Sequence, residues 1–223
     1  MEDFWLYYLP TYNDYLVIFS LIVACASTAA AFFINDQMKT NTLLSRTTWM
    51  MLASTTLGAG IWAVHFLGMV AMQMPFTVAY SKILTIVMLI PSIFVSLIAF
   101  YYINQPRHTW MRATISGIFI GVGIVLIHYF GMMVMNFEDV RFSYRLHMMA
   151  LASLVVSLLA VSALLMYRYV YVRRGYFLSR FMSAMLLACA IIAAHYMGMW
   201  SVVYEANMTH IHMHHSVEMD LTF

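Results

Sequence analysis

Long apolar runs separated by short polar segments dominate this chain. A helix needs about 20 apolar residues to cross the hydrocarbon core of a bilayer, and its backbone groups are hydrogen-bonded within the segment. The pattern predicts six such helices, at about residues 15–34, 48–72, 82–103, 111–135, 147–169 and 178–204. We therefore expect an all-α integral membrane protein, with a domain over residues 1–204 that forms a six-helix bundle.

Composition supports this class and excludes others. The chain has 223 residues, 64% hydrophobic and 9% charged, whereas a soluble domain carries about 25% charged residues. Six spans leave no room for a soluble catalytic domain, so we do not expect an enzyme. A formal net charge of +2 is too small to suggest a nucleic-acid partner. The lipid bilayer is the first expected partner.

Basic residues are unevenly distributed between the segments that join the predicted helices. Positively charged side chains collect on the cytoplasmic side of membrane proteins. With the first residue outside, eight basic residues fall on the inner side and three on the outer side. The inner ones are Lys39, Arg46, Arg107, Arg112, Arg168, Arg173, Arg174 and Arg180, and the outer ones are Lys82, Arg141 and Arg145. Both termini are therefore predicted to lie on the outer side, periplasmic or extracellular.

One short motif occurs three times, near the ends of the second, fourth and sixth predicted helices. The copies run from Gly58 to Met69, from Gly121 to Met132 and from Ala188 to Met199. Their histidines, His65, His128 and His195, recur at intervals of 63 and 67 residues. This interval equals two helices and two loops. It predicts three repeated helical hairpins, each with its motif near the outer end of its second helix.

The motif places imidazole and thioether groups on one helix face. Positions three, four and seven apart share a face, so each His lies beside the Met four residues later and near small residues that let helices approach. Imidazole nitrogen and thioether sulfur together suit copper, whereas zinc, bound through His alone, gives the methionines no role. The predicted ligands are His65, Met69, His128, Met132, His195 and Met199, with Met72, Met135 and His147 as secondary candidates. The alternative is that these side chains only pack or bond between helices.

Histidine and methionine also concentrate toward the outer side. Eight of the nine His and thirteen of the 22 Met fall there. The segment 205–223 is rich in both, with Met208, His210, His212, Met213, His214 and His215. A His-rich tract of this kind is either a metal-binding tail or a solvated, flexible terminus.

The motif residues carry a family resemblance. The three His-Tyr-x-Gly-Met motifs, the first with Phe66 as the aromatic residue, and the six spans resemble the bacterial MHYT sensor domain from about Tyr15 to Tyr204. The resemblance implies a sensory module of the bacterial cytoplasmic membrane that binds copper through the motif His and Met and senses oxygen, carbon monoxide or nitric oxide. It also implies a cytoplasmic output, commonly domains that make and degrade cyclic di-GMP.

Two motif positions depart from that family. The Met that usually precedes the His is Val64, Ile127 or Ala194, and the usual Thr is Leu67, Phe130 or Met197. The Met four residues after each His is therefore the main sulfur candidate. An outer C-terminus needs a further helix to reach a cytoplasmic enzyme. We expect either a missing seventh helix and output domain or a stand-alone module that acts through a partner, and a homodimer is one candidate assembly.

Two other functions remain open from the sequence. Copper or zinc transport or storage is one, although transport needs ligands staged through the membrane and the inner half shows only scattered Met. A haem-binding redox protein is the other, although three His at one level fit paired haem ligation poorly. The predicted spans contain no carboxylate, so a proton relay is not expected.

Overall fold

Six membrane-spanning helical stretches make up most of the molecule. The computed structural model describes residues 5–8, 10–73, 78–105, 110–133, 135–137, 140–169 and 176–207. The helices are α1 Asp14–Thr40, α2 Arg46–Ala71, α3 Lys82–Val87, α4 Leu89–Ile103, α5 Trp110–Met132, α6 Leu146–Tyr169 and α7 Tyr176–Trp200. Counting α3 and α4 as one stretch, six are long and apolar enough to cross a membrane. The predicted all-helical membrane bundle is confirmed.

A proline divides the third span into α3 and α4. The helix is interrupted at Met88, and Pro91 lies in the first turn that follows. Proline lacks the N–H that would bond the carbonyl four residues earlier, here that of Val87, and its ring crowds that carbonyl. The predicted single helix over residues 82–103 is therefore two helices in series.

The six spans form a closed ring, and three of them also meet at its centre. Going round the ring, α1, α2, α4, α5, α6 and α7 each pack against the next, and α7 packs against α1. In addition, α2, α5 and α7 contact one another across the centre. In the most apolar 18-residue stretch of each helix, 44%, 61% and 50% of the residues of α2, α5 and α7 are buried. The corresponding shares are 28% for α1, 22% for the α3–α4 span and 28% for α6. We call α2, α5 and α7 the inner helices and the others the outer helices.

Glycines allow inner and outer helices to approach closely. A Cβ added at Gly58 of α2 would lie 2.6 Å from the backbone nitrogen of Ile93 of α4. One added at Gly121 of α5 would lie 2.7 Å from the Cα of Ser157 of α6. Both distances are shorter than real carbon contacts, so these positions accept no side chain without a shift of the helices.

Short antiparallel strands lie at one end of the bundle. They are β1 Trp5–Tyr8, β2 Thr11–Tyr12, β3 Met72–Gln73, β4 Val78–Tyr80, β5 Met135–Phe137, β6 Val140–Tyr144 and β7 Val202–Asn207. Strand β7 pairs with both β1 and β6, β2 pairs with β3, and β4 pairs with β5. Because the three inner helices finish here, we call this the motif end. The β1–β7 pairing brings the two ends of the described chain together.

A buried polar network joins four helices at the opposite end. The Nη2 of Arg180 on α7 lies 2.6 Å from the Oδ1 of Asp36 on α1. The hydroxyl of Tyr167 on α6 donates to the same oxygen at 3.1 Å and accepts from the Nδ2 of Asn35 at 2.6 Å. Asn104, at the end of α4, donates to the Oδ1 of Asn35 at 2.7 Å. The guanidinium of Arg180 also lies 3.8 Å from the centre of the Tyr167 ring.

This network explains why the first helix is longer than predicted. The helix continues to Thr40, beyond the predicted end at residue 34, and so includes Asp36 and Lys39. The expectation that no carboxylate lies within a span is therefore wrong. The polar residues after position 34 predict the end of the span, but Asp36 is 5% exposed because side chains of α6 and α7 surround it. The sixth span, in contrast, is shorter at its end than predicted. It ends at Trp200 instead of residue 204, and residues 202–204 belong to β7.

Candidate metal centre

Three histidines, one from each inner helix, meet at the centre of the bundle near the motif end. His65 of α2 is 4% exposed, and His128 of α5 and His195 of α7 are each 2% exposed. Their ring centroids lie 5.3–5.4 Å apart with edge-to-face geometry. One nitrogen from each ring lies within 4.8 Å of the other two. The structure thus brings together the three histidines that the repeated motif singled out, and we call them the histidine trio.

Each imidazole occupies space left by a glycine on the next inner helix. A Cβ added at the motif glycine would overlap the Nε2 of the neighbouring histidine. The pairs are His65 with Gly131, His128 with Gly198, and His195 with Gly68. The relationship is cyclic, from α2 to α5, from α5 to α7 and from α7 back to α2. The motif glycines therefore do more than bring helices together, because they make room for the three rings.

The trio's ring nitrogens are buried without hydrogen-bond partners. Among the described residues, none of the six ring nitrogens has a donor or acceptor at good hydrogen-bond geometry, although the backbone of Gly131 lies close to His65 and that of Gly68 close to His195. Buried polar groups in proteins nearly always have a partner, and one without a partner costs about 1–3 kcal/mol. A neutral imidazole has one nitrogen with a free electron pair, so three such rings that meet at one point indicate a place for a ligand that accepts electron pairs from nitrogen.

A methionine layer lies beside the trio, toward the strands. Met69, Met132 and Met199, each four residues after a trio histidine, are at most 1% exposed and belong to one buried cluster. Met72 is 8% exposed and belongs to the same cluster, and the hydroxyl of Tyr204 contacts its Sδ at 3.9 Å. The cluster also includes Val202. The structure thus collects four of the predicted thioethers on one side of the histidines.

On its other side the trio is bounded by aliphatic side chains. A cavity of about 10 Å³ lies between the imidazoles and the isoleucines four residues earlier in each motif. Its lining includes Ile61, Ile124 and Ile191 together with the three histidines. A volume of this size holds about one water-sized particle. Single-atom dimensions and nitrogen donors together suit a metal ion.

The aromatic residue after each histidine is part of the site, although the motif alone predicts no role for it. The rings of Phe66, Tyr129 and Tyr196 lie edge-on to their neighbouring imidazoles, with centroids 4.9–5.0 Å apart. The hydroxyl of Tyr129 lies 3.0 Å from the Oγ of Ser201, and that of Tyr196 lies 3.3 Å from the Oγ of Ser20. These contacts fix the rings that flank the trio. The recurrence of an aromatic residue directly after each motif histidine is the sequence signal that points to this role.

The remaining predicted residues lie apart from the trio or outside the described side chains. His147 is exposed in the first turn of α6 and is not part of the group of three histidines. Met135 lies in β5, and the surroundings of its side chain are not described. The His-rich segment 208–223 lies outside the described residues. Cys25 and Cys189 are free thiols.

Comparison with known families identifies related sequences. The family model MHYT, described as a bacterial signalling protein N-terminal repeat, matches residues 58–116 and again residues 121–179. Together the two matches cover more than half of the chain. Each match contains one of the first two trio histidines. No solved structure matches this chain.

Curated bacterial proteins match nearly the whole chain. The bifunctional diguanylate cyclase/cyclic di-GMP phosphodiesterase MucR of Pseudomonas aeruginosa is 29% identical over 192 residues, covering 86% of this chain and 28% of MucR. The cyclic di-GMP phosphodiesterase NbdA of the same organism is 30% identical over 195 residues, covering 86% and 25%. The signaling protein YkoW of Bacillus subtilis is 24% identical over 203 residues, covering 89% and 25%.

The matches show which part of these relatives corresponds to this chain, and they support its location in the cell. The chain spans about a quarter of the length of the curated relatives it matches. That part is the MHYT region, a sensory domain. With six apolar helices, the chain is a multi-pass protein of the bacterial cytoplasmic membrane.

Proposed function

The chain belongs to the MHYT family of bacterial signalling proteins, and we propose that it is a membrane sensory module that binds copper at the histidine trio. The observation that carries this proposal is the meeting of three buried imidazoles whose nitrogens have no hydrogen-bond partner among the described residues. A metal ion would bind to these nitrogens and offset the cost of burying them.

The distances within the trio are compatible with a single ion. Three nitrogens bound at about 2.0–2.1 Å in a trigonal arrangement lie roughly 3.5 Å apart. The trio has one nitrogen from each ring within 4.8 Å of the others. A side-chain movement of about an ångström would therefore complete the site. His65, His128 and His195 would hold the ion, and each comes from a different inner helix.

The methionine layer favours copper over zinc. Zinc would take the imidazoles and leave the buried thioethers without a role, whereas thioether sulfur suits Cu(I). Met69, Met132 and Met199 belong to a single cluster directly after the histidines along each helix. We propose them as the sulfur ligands or the soft surroundings of the ion, with Met72 beside them.

The same geometry argues against the two alternatives. A haem held by two histidines needs a slot for its macrocycle, and the cavity at the trio measures about 10 Å³. A transporter needs ligands staged toward both faces of the membrane. Beyond the trio, away from the methionine layer, the described core cluster is hydrophobic, with Ile61, Ile124 and Ile191 at its start, and the methionines Met50, Met88 and Met185 are only partly buried against it.

A site shared by three helices is suited to signalling. An ion held by α2, α5 and α7 would favour the packing in which the three imidazoles are closest, and a ligand shifts such an equilibrium only if it binds the two packings unequally. Bound copper would supply a coordination position for oxygen, carbon monoxide or nitric oxide. We propose that the motif end faces outward, as the basic residues indicate, and that the opposite end passes the change to a cytoplasmic output such as cyclic di-GMP turnover.

Metal analysis of the purified protein tests the proposal. The chain is truncated after Asn207 so that the His-rich tail contributes no binding. We expect the truncated protein to retain copper after dialysis, and the triple variant His65→Ala, His128→Ala and His195→Ala to lose it. His147→Ala, at an exposed histidine, is the matched control and should retain copper. Full copper content in the triple variant would refute a site at the trio.

A further inference from the structure

A second, larger pocket opens beside the methionine layer at the motif end. Its volume is about 390 Å³, and it lies between the residues before α1 and the end of α7. Its lining includes Tyr12, Tyr196, Met197, Met199, Trp200 and Val202. We call it the side pocket.

Met199 is shared by the side pocket and the methionine layer. Its side chain is 1% exposed overall, yet it lines the pocket and also belongs to the buried methionine cluster. Val202 belongs to both as well, and Tyr12 packs against the cluster. The side pocket therefore reaches the methionine layer directly, with the Met199 side chain between them.

The trio needs such an approach, because its surroundings are closed. The three histidines are each at most 4% exposed, and aliphatic side chains bound the small cavity on the side away from the methionine layer. The side pocket approaches α7 near its histidine, since Tyr196, the neighbour of His195 in sequence, forms part of its wall.

The lining of the pocket has the chemistry of a soft ligand set. Met197 is half-buried and Met199 is fully buried, and both line the pocket. Tyr12 packs edge-on against Tyr196 with ring centroids 5.3 Å apart. Burial, and secondarily the proximity of Tyr196, raises the pKa of Tyr12 to about 12, so its hydroxyl stays neutral at ordinary pH. Thioethers without a neighbouring anion favour Cu(I) over hard divalent ions.

We propose that the side pocket is the route by which Cu(I) reaches the histidine trio, with Met197 and then Met199 as successive ligands. This inference rests on the proposed function. Each step exchanges one neutral ligand for another on the same Cu(I) ion, so no electron or proton is transferred. Met197 replaces the threonine usual in this family's motif, so the route is a property of this chain.

Uptake kinetics distinguish a route from a binding site. The metal-free protein, truncated after Asn207 and reconstituted in lipid vesicles, receives Cu(I) from a weak chromophoric chelator, and loss of the chelator signal is followed in time. For Met197→Leu, which keeps the side-chain volume, we expect uptake to slow roughly tenfold, equivalent to about 1.4 kcal/mol in the barrier. The final copper content should equal that of the unmodified sequence. Met133→Leu, at a 68% exposed methionine, is the matched control and should load at the normal rate.

A blocking experiment tests the same route within one protein. In a background with Cys25→Ala and Cys189→Ala, the variant Met197→Cys keeps a soft donor and should load at a normal rate. After reaction with N-ethylmaleimide, which fills the pocket, uptake should slow while Met133→Cys treated identically should not change. Unchanged uptake in both Met197→Leu and the blocked protein would overturn the route. If the unaltered chain takes up no copper at all, the proposed function itself fails.

Discussion

The two ends of the bundle bury polar groups in opposite ways. At the motif end, three imidazoles meet with no hydrogen-bond partner among the described residues for any ring nitrogen. At the opposite end, Asp36 accepts from Arg180 and from Tyr167, and Asn35 bonds to Tyr167 and Asn104. Both groups are nearly inaccessible to solvent, so burial does not distinguish them.

The difference separates a structural role from a binding role. A buried network whose members hydrogen-bond to one another stabilises one arrangement of helices, here α1, α4, α6 and α7. A buried polar group left without a partner destabilises the protein by about 1–3 kcal/mol and is retained where another function requires it. By this argument the opposite end fixes the bundle, and the motif end holds the proposed binding site.

The largest expected effect is at the opposite end. Replacing Asp36 by Leu removes the carboxylate 2.6 Å from the Nη2 of Arg180, and leaves the buried guanidinium without it. Breaking a buried ion pair in this way costs about 3–5 kcal/mol. The measurement is the free energy of unfolding in detergent mixtures. Asp14→Leu, at an exposed carboxylate, is the control and should change stability little. A loss below about 1 kcal/mol for Asp36→Leu would contradict a structural role for the network.

The next largest effect is expected at the motif glycines. In Gly131→Ala the new methyl group would overlap the Nε2 of His65 and push the ring out of the trio. We expect copper affinity to fall roughly 10–100-fold, as for other residues that orient a metal ligand. Gly60→Ala is the matched control, because its methyl group would overlap Ser27 and touch no histidine. Equal losses of copper affinity in both variants would show that crowding alone is responsible.

Sequence periodicity predicted the features that lie within single helices. The six spans and the three motifs, each with a histidine and a methionine on one helix face, follow from apolar length and from positions four and seven apart. The end of α1 was misplaced because Asp36 is stabilised by Arg180, 144 residues away in the chain. The strands were not predicted, since β1 and β7 are short and pair residues as distant as Trp5 and Asn207.

Relationships between helices were beyond the reach of the sequence. The motif suggested that Gly68, Gly131 and Gly198 serve helix packing, and the structure adds that each makes room for a histidine of another helix. The pairing could not be predicted, because it depends on the order of α2, α5 and α7 around the core. The side pocket could not be predicted for the same reason. Tyr12 and Met199 are far apart in the chain, and they meet because the residues before α1 pack against the end of α7.

The smallest expected effect is the most direct test of the comparison between the two ends. His128 is 2% exposed and Asn35 is 0% exposed, so both can be replaced by Leu at equal burial. In metal-free protein, His128→Leu removes an imidazole without a hydrogen-bond partner among the described residues and should change the free energy of unfolding by less than about 1 kcal/mol, or stabilise.

The matched substitution Asn35→Leu should behave differently in the same measurement. It leaves the amide of Asn104 without one partner and removes the donor to Tyr167, so a loss of about 1–3 kcal/mol is expected. Adding Cu(I) should then stabilise the unaltered chain and Asn35→Leu, but not His128→Leu, since only the last has lost a proposed ligand. If His128→Leu destabilised metal-free protein as much as Asn35→Leu does, the imidazole would already have a structural partner, and the contrast between the two ends would fail.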